Sequence, residues 1–192
     1  SVTRASTILF ETMQELKKHE LKIKQNKKIT HYSYGRYGSS TTIELENILK
    51  ELENAYHVFL TGTGFGGIAL ALMSLCRPGD EILVSDNVYG PTKEISEKLL
   101  KEFNINALFY NPDSFEDLKS KVTKKTKMIL VENPGSITFE FQDLSKIVNL
   151  AKKNNILTLL DNTWGTPLYL KPLDLGFDMS FSSATKYFSG HS

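Results

Sequence analysis

The sequence predicts an α/β fold: a mostly parallel sheet flanked by helices, preceded by an extended N-terminal arm. Two observations carry this reading. From Ile43 onward, short and nearly continuous apolar runs rich in Val, Ile and Leu alternate with amphipathic stretches at helical spacing. The segment from Ser1 to Ser40, by contrast, is rich in Lys and Tyr and has little apolar periodicity.

The elements follow in order. Residues 1–42 read as an arm with one short amphipathic helix around Phe10 to Leu21, packed on something other than its own core, and residues 43–192 as the sheet-bearing domain. Ile43, Leu45, Ile48, Leu49 and Leu52 then recur at helical spacing. Strands are expected at His57–Thr61, Glu81–Ser85, Asn106–Tyr110, Lys127–Glu132, Ile156–Asp161 and Met179–Ser183. Helices are expected at Gly64–Cys76, Pro91–Phe103, Ser114–Lys121 and Asp143–Lys153. Pro91 suits a first helical turn, where its missing N–H costs nothing. Arg77-Pro78-Gly79-Asp80 supplies a stop and a turn.

Bulk composition narrows the function. Lys+Arg (23) nearly cancels Asp+Glu (22), so no overall field draws nucleic acid or an anionic membrane. The lysine clusters read as solvated faces. Cys76 is the single cysteine, which excludes an internal disulfide and a multi-cysteine zinc site; it reads as a small core residue. The longest apolar run falls short of the roughly 18 residues of a membrane span, and no signal-peptide pattern is seen, so a cytoplasmic setting is expected.

Ligand sites in parallel sheets lie beyond the carboxyl ends of the strands. That rule directs attention to four places, Thr61–Gly66, Ser85–Tyr89, Asp161–Trp164 and Ser183–Lys186, and three of them carry chemistry legible from residue type. Thr61-Gly62-Thr63-Gly64-Phe65-Gly66-Gly67 leads into a helix; it is either a tight turn or an anion site made of free N–H groups. It lacks both the Gly-Lys-Ser/Thr ending of a P-loop and the acid of a dinucleotide fingerprint, which disfavours a nucleotide-binding domain. Asp161, after Ile156–Leu160, is either a cap or loop ion pair or an anion facing a cationic ring nitrogen. Lys186, after Ser183 and Thr185, is either a surface lysine or a partly desolvated amine beside phosphate-binding hydroxyls. In this chain order the three supply phosphate contacts, a ring-nitrogen partner and an imine lysine.

With these segments the sequence resembles the Cys/Met-metabolism family of pyridoxal-phosphate enzymes, fold type I, over about Arg4 to Ser192. The most specific stretch runs from Asp161-Asn162-Thr163-Trp164 to Ser183-Ala184-Thr185-Lys186-Tyr187-Phe188-Ser189-Gly190-His191. Within the family, Val131-Glu132-Asn133-Pro134-Gly135-Ser136-Ile137-Thr138 and Arg4-Ala5-Ser6-Thr7 look most like the bacterial cystathionine β-lyase branch. Many γ-acting relatives carry Asn-Pro where this chain has Ser136-Ile137, and Trp164 also favours the β-lyase branch.

The resemblance implies that Lys186 holds the aldehyde of pyridoxal 5'-phosphate and moves the substrate Cα proton. It implies Asp161 at the ring nitrogen and Tyr89 stacked on the ring, with Tyr89 also assisting the lysine. Backbone N–H groups of Gly64 and Phe65 and hydroxyls of Ser183 and Thr185 would meet the phosphate. Phe65 stands where the family usually has Met or a small residue, a change that leaves backbone donation intact. Tyr34 and Arg36 match a pair that reaches the phosphate of a neighbouring subunit. The resemblance therefore implies a homo-oligomer, a dimer of active-site-sharing chains within a tetramer.

The expected reaction is β-elimination of L-cystathionine to homocysteine, pyruvate and ammonia. The alternatives are cystathionine γ-lyase, methionine γ-lyase or γ-synthase chemistry, and a non-catalytic remnant that keeps the fold. Relatives continue past the position of Ser192 into a C-terminal part that supplies an arginine for the substrate carboxylate, and that part is expected to be absent here.

Overall fold

Five short apolar runs form strands: β1 (Glu81–Ser85), β2 (Asn106–Tyr110), β3 (Thr126–Glu132), β4 (Leu157–Asp161) and β5 (Met179–Phe181). All neighbours pair in parallel, in the order β2-β1-β3-β4-β5. The structure is a computed structural model that describes residues 2–25, 27 and 29–190. Ser1, Asn26, Lys28, His191 and Ser192 lie outside the described residues; His191 closes the family-like stretch and Lys28 closes the lysine cluster that begins at Lys22.

The period-two alternation of strand side chains divides the core into two layers. Ile82, Val84, Met128, Leu130 and Leu159 face one side and pack with Ile68 and Leu72 of helix α3 (Gly64–Leu75). Leu83, Ile129, Val131 and Leu160 face the other. There they meet Leu118 of α6 (Phe115–Ser120) and Ile147, Val148 and Ala151 of α7 (Leu144–Asn154). Burial on both faces explains why these strands read as unbroken apolar runs. Each fully buried aliphatic side chain contributes about 1.5–3 kcal/mol.

The connection after β1 runs through α4 (Gly90–Glu94), one π-helical turn (Ile95–Leu99) and α5 (Leu100–Glu102). Ile95 and Leu100 bury against the same face as α3, whereas α7, between β3 and β4, covers the opposite face. The chain therefore reverses its direction of progress between β1 and β3. Such a switch point opens a crevice at the carboxyl ends of the strands.

The chain divides into two compact units, Ser1–Leu60 and Thr61–Ser192. In the first unit, Thr12 caps α1 (Met13–Lys24), none of whose residues is buried. Ser39 and Thr42 form a capping box at the start of α2 (Ser40–Glu53), which ends at Asn54 in the left-handed region (φ 51°). Thr7 and Tyr34 form an antiparallel bridge, and Gly35 crosses so close to the Ala5 carbonyl that any side chain would collide with it.

One expected strand is missing: His57–Thr61 carries neither strand nor helix. Tyr56 and Phe59 of this stretch are largely exposed. Apolar residues alone do not make a strand; a ladder partner is required, and among the described residues none pairs with this segment. Most other differences are shifts of one or two residues at element ends, where capping rather than hydropathy decides the boundary; α1 lies three residues later than expected, and the short helices Thr166–Tyr169 and Pro172–Leu175 were not expected.

Candidate active site

Four strand ends or helix starts of the second unit converge on one edge of the sheet. The first is the start of α3. Thr63 caps it, its Oγ1 accepting from Gly66 N at 2.9 Å. That leaves the N–H groups of Gly64 and Phe65 without a partner among the described residues, at the positive end of the helix dipole. The glycines here have a steric reason. A Cβ on Gly64 would lie 2.9 Å from Ser183 Oγ, and one on Gly67 would lie 2.7 Å from the Phe181 ring. Their absence lets the start of α3 approach the end of β5 and leaves two amides and a hydroxyl around one space.

The second is the turn after β5. Ser183 N donates to Thr163 Oγ1 at 2.9 Å, and the hydroxyls of Ser183 and Thr185 lie 3.1 Å apart. Lys186 N donates to Ser183 O at 3.1 Å, closing the turn. Lys186 is exposed, which matches the surface reading of the two that the sequence left open. Near it stand Trp164 and Tyr187, ring centroids 5.8 Å apart, and Phe139 against Trp164 at 5.1 Å.

The third is Asp161, at the end of β4 and 7% exposed. Its Oδ1 accepts from Thr163 N at 3.0 Å. Burial raises the Asp161 carboxyl above the usual aspartate range, while the bonds from Thr163 and the Lys186 charge pull it back. Asp161 pairs with Phe181 in the register of β4 and β5, so the acid and the turn that carries Lys186 follow neighbouring strand ends.

The fourth is the end of β1. Tyr89, half exposed, donates its backbone N–H to Glu132 Oε2 at 2.6 Å. Glu132 ends β3, is 6% exposed, and pairs with Asp161 in the strand register. Burial and the neighbouring Asp161 push its carboxyl up to about 7. The sequence reading gave Glu132 no role of its own. The signal was available, because a carboxylate closing an apolar strand is the pattern that singled out Asp161.

The structure brings together Gly64, Phe65, Ser183 and Thr185, sets Asp161 at the strand end beside the one that leads to Lys186, and anchors Tyr89 to the end of β3. Tyr34 and Arg36 belong to the first unit, both exposed, with the guanidinium 5.1 Å from the Tyr34 ring centroid and 5.3 Å from that of Tyr37. Cys76 is buried and its thiol is pushed up to about 11, chiefly by burial, which makes it a core residue rather than a nucleophile.

Free amides at a helix start, paired hydroxyls, a lysine and a buried carboxylate fit a phosphate-bearing aldehyde with a basic ring nitrogen. This donor set, on a parallel sheet, is that of a pyridoxal-phosphate fold type I large domain. Comparison with known proteins agrees. The family model described as Cys/Met metabolism PLP-dependent enzyme matches residues 1–192, and the chain belongs to that family.

Among curated relatives, the cystathionine beta-lyase of Bordetella avium is 35% identical over 98% of this chain and 47% of its own length. A cystathionine gamma-lyase of Bacillus subtilis is 35% identical over 85% of this chain and 43% of its own. A crystal structure from Campylobacter jejuni that carries N'-pyridoxyl-lysine-5'-monophosphate superposes with a TM-score of 0.85. It is 27% identical, covering 97% of this chain and 45% of that one. The chain spans about half the length of the curated relatives it matches. No helix among the described residues is long and apolar enough to cross a membrane.

Proposed function

We propose that this chain is the cofactor-binding part of a carbon–sulfur lyase that cleaves L-cystathionine by β-elimination to homocysteine, pyruvate and ammonia. The observation that carries the reading is the close approach of Gly64 at the start of α3 to Ser183 in the turn that carries Lys186, with Asp161 buried at the neighbouring strand end. Gly64 and Phe65 N–H groups and the Ser183 and Thr185 hydroxyls hold the phosphate of pyridoxal 5'-phosphate. Asp161 faces the ring nitrogen and keeps it protonated, and Tyr89 stacks on the ring. When bound, the cofactor supplies an electron sink for the carbanion at the substrate Cα.

Lys186 would hold the cofactor through its Nζ and, once that amine is free and uncharged, would take the substrate Cα proton. Tyr89 is assigned to assist that transfer. Tyr34 and Arg36 reach the phosphate held by a second copy of the chain, which makes the working enzyme a homo-oligomer. Residues 1–42 are the inter-subunit arm and 43–192 the large domain.

The β-reading draws on relatives that carry the β-lyase name at 33–37% identity, and on Ser136-Ile137 and Trp164. A second reading, γ-cleavage, draws on the Bacillus subtilis relative. Product analysis from cystathionine with the intact natural polypeptide decides between them: pyruvate supports the first reading, 2-oxobutyrate the second. For the lysine, borohydride treatment fixes the cofactor on Lys186 in the wild-type protein and leaves Lys186→Ala unlabelled. Equal labelling of both would remove Lys186 from the mechanism.

A further inference from the structure

We propose that Glu132 is a positioning residue of this site: its carboxyl fixes the Tyr89 backbone from the strand position that pairs with Asp161. The inference rests on the cofactor-site reading above and adds to it a residue argued to act through Tyr89. Three observations carry it.

First, Glu132 Oε2 accepts from Tyr89 N at 2.6 Å across the switch point between β1 and β3. Tyr89 precedes α4 and has no side-chain cap of its own, so its amide would otherwise be an orphan of the helix start. Second, the segment before Tyr89 is tied to the loop after β3. Ser136 N donates to Asn87 O at 2.9 Å, and Gly135 packs so tightly on the Asn87 side chain that a Cβ would overlap it. The tyrosine's approach to the sheet edge is therefore set by the end of β3 and the loop that follows. Third, Glu132 and Asp161 are register partners, about 4.8 Å apart along the sheet, and their side chains emerge on the same face. A buried carboxyl in that place has a cost, which the bond to Tyr89 offsets.

The position of Tyr89 relative to Asp161 is thereby fixed through one side chain. Glu132 stands beside the acid assigned to the ring nitrogen and holds the residue assigned to the ring face. In the protein as bound, ring tilt and the ring-nitrogen contact would vary together.

Two variants of the intact natural polypeptide test this. Glu132→Asp keeps a carboxyl beside Asp161 but retracts it by one methylene, about 1.5 Å. Glu132→Gln keeps the reach and an acceptor. Amide hydrogen exchange at Tyr89, measured without cofactor, reads the backbone bond directly. Titration with pyridoxal 5'-phosphate, followed by visible circular dichroism, reads the ring's placement. Glu132→Asp is expected to speed Tyr89 exchange about tenfold, weaken cofactor binding about fivefold and alter the dichroic band. Glu132→Gln is expected to stay within about twofold on exchange and affinity. Unchanged Tyr89 exchange in Glu132→Asp overturns the proposal, and so does faster exchange with unchanged affinity and dichroism. Equal impairment of exchange in both variants also overturns it. If the wild-type protein fails to bind the cofactor at all, the cofactor-site reading fails instead, while the exchange arm still decides whether Glu132 holds Tyr89.

Discussion

Glu132 and Asp161 are direct partners in the parallel register of β3 and β4, two buried carboxyl groups closing adjacent strands. Coulomb repulsion between them adds to the cost of burial, and both groups are raised above their ordinary range.

A stability prediction follows for Glu132. Its carboxyl rises from an ordinary 4.5 to about 7 on folding. Between those values the folded chain binds the proton more tightly than the unfolded chain, so stability is highest below about pH 4.5 on this group's account and falls as pH rises towards 7. The groups facing it are Asp161, the Tyr89 amide and a Ser136 hydroxyl bond, with Lys186 acting through Asp161. The full interval is worth about 3 kcal/mol at most. Chemical unfolding at pH 5.5 and pH 8 should show a larger decline for wild type than for Glu132→Gln, which has no proton to lose. Parallel declines would refute it.

Gly64→Ala should weaken binding of pyridoxal 5'-phosphate while leaving the fold in place. The new methyl would lie 2.9 Å from Ser183 Oγ, displacing that hydroxyl from the amides at the start of α3. A loss of about tenfold in affinity is expected, the equivalent of one neutral hydrogen bond, read by fluorescence titration. Ser183→Ala should give a loss of similar size.

Asp161→Asn separates stability from function. Because burial disfavours the Asp161 charge, a neutral amide of the same shape should leave the melting temperature unchanged or slightly higher. Turnover should nevertheless fall by roughly 10²–10³, the usual cost of removing one electrostatic stabiliser of a developing charge. A variant that keeps wild-type turnover would dissociate Asp161 from the chemistry.

Leu130→Ala should cost about 2–5 kcal/mol in denaturant unfolding. Leu130 is 1% exposed in β3, with β1 on one side and β4 on the other, so the cavity has little room to collapse. A loss below about 1 kcal/mol would mean that the two faces of this sheet pack loosely.

Much of this was readable in the residues. β1 and β2 begin and end where their apolar runs do, because both are bounded by turn signals such as Arg77-Pro78-Gly79-Asp80. His57–Leu60 misleads because its apolar residues resemble those of β2, yet composition is blind to whether a ladder partner exists. The π-helical turn at Ile95–Leu99 was likewise hidden: an amphipathic run specifies a buried face, not the hydrogen-bond spacing beneath it. At the site, Asp161 and Lys186 could be singled out by type and order alone. Their placement at neighbouring strand ends, and the place of Glu132 between Asp161 and Tyr89, depend on strand register, which a single strand's pattern does not encode.

The meeting of Gly64 with Ser183 joins the first helix of the second unit to the turn after its last strand. Every intervening strand must be in place before those two residues touch, which makes this contact among the most non-local in the chain. During synthesis, a ribosome would have to release nearly all of this unit before the proposed phosphate cradle could exist, so cofactor capture there would report completion of the sheet rather than assist its early assembly.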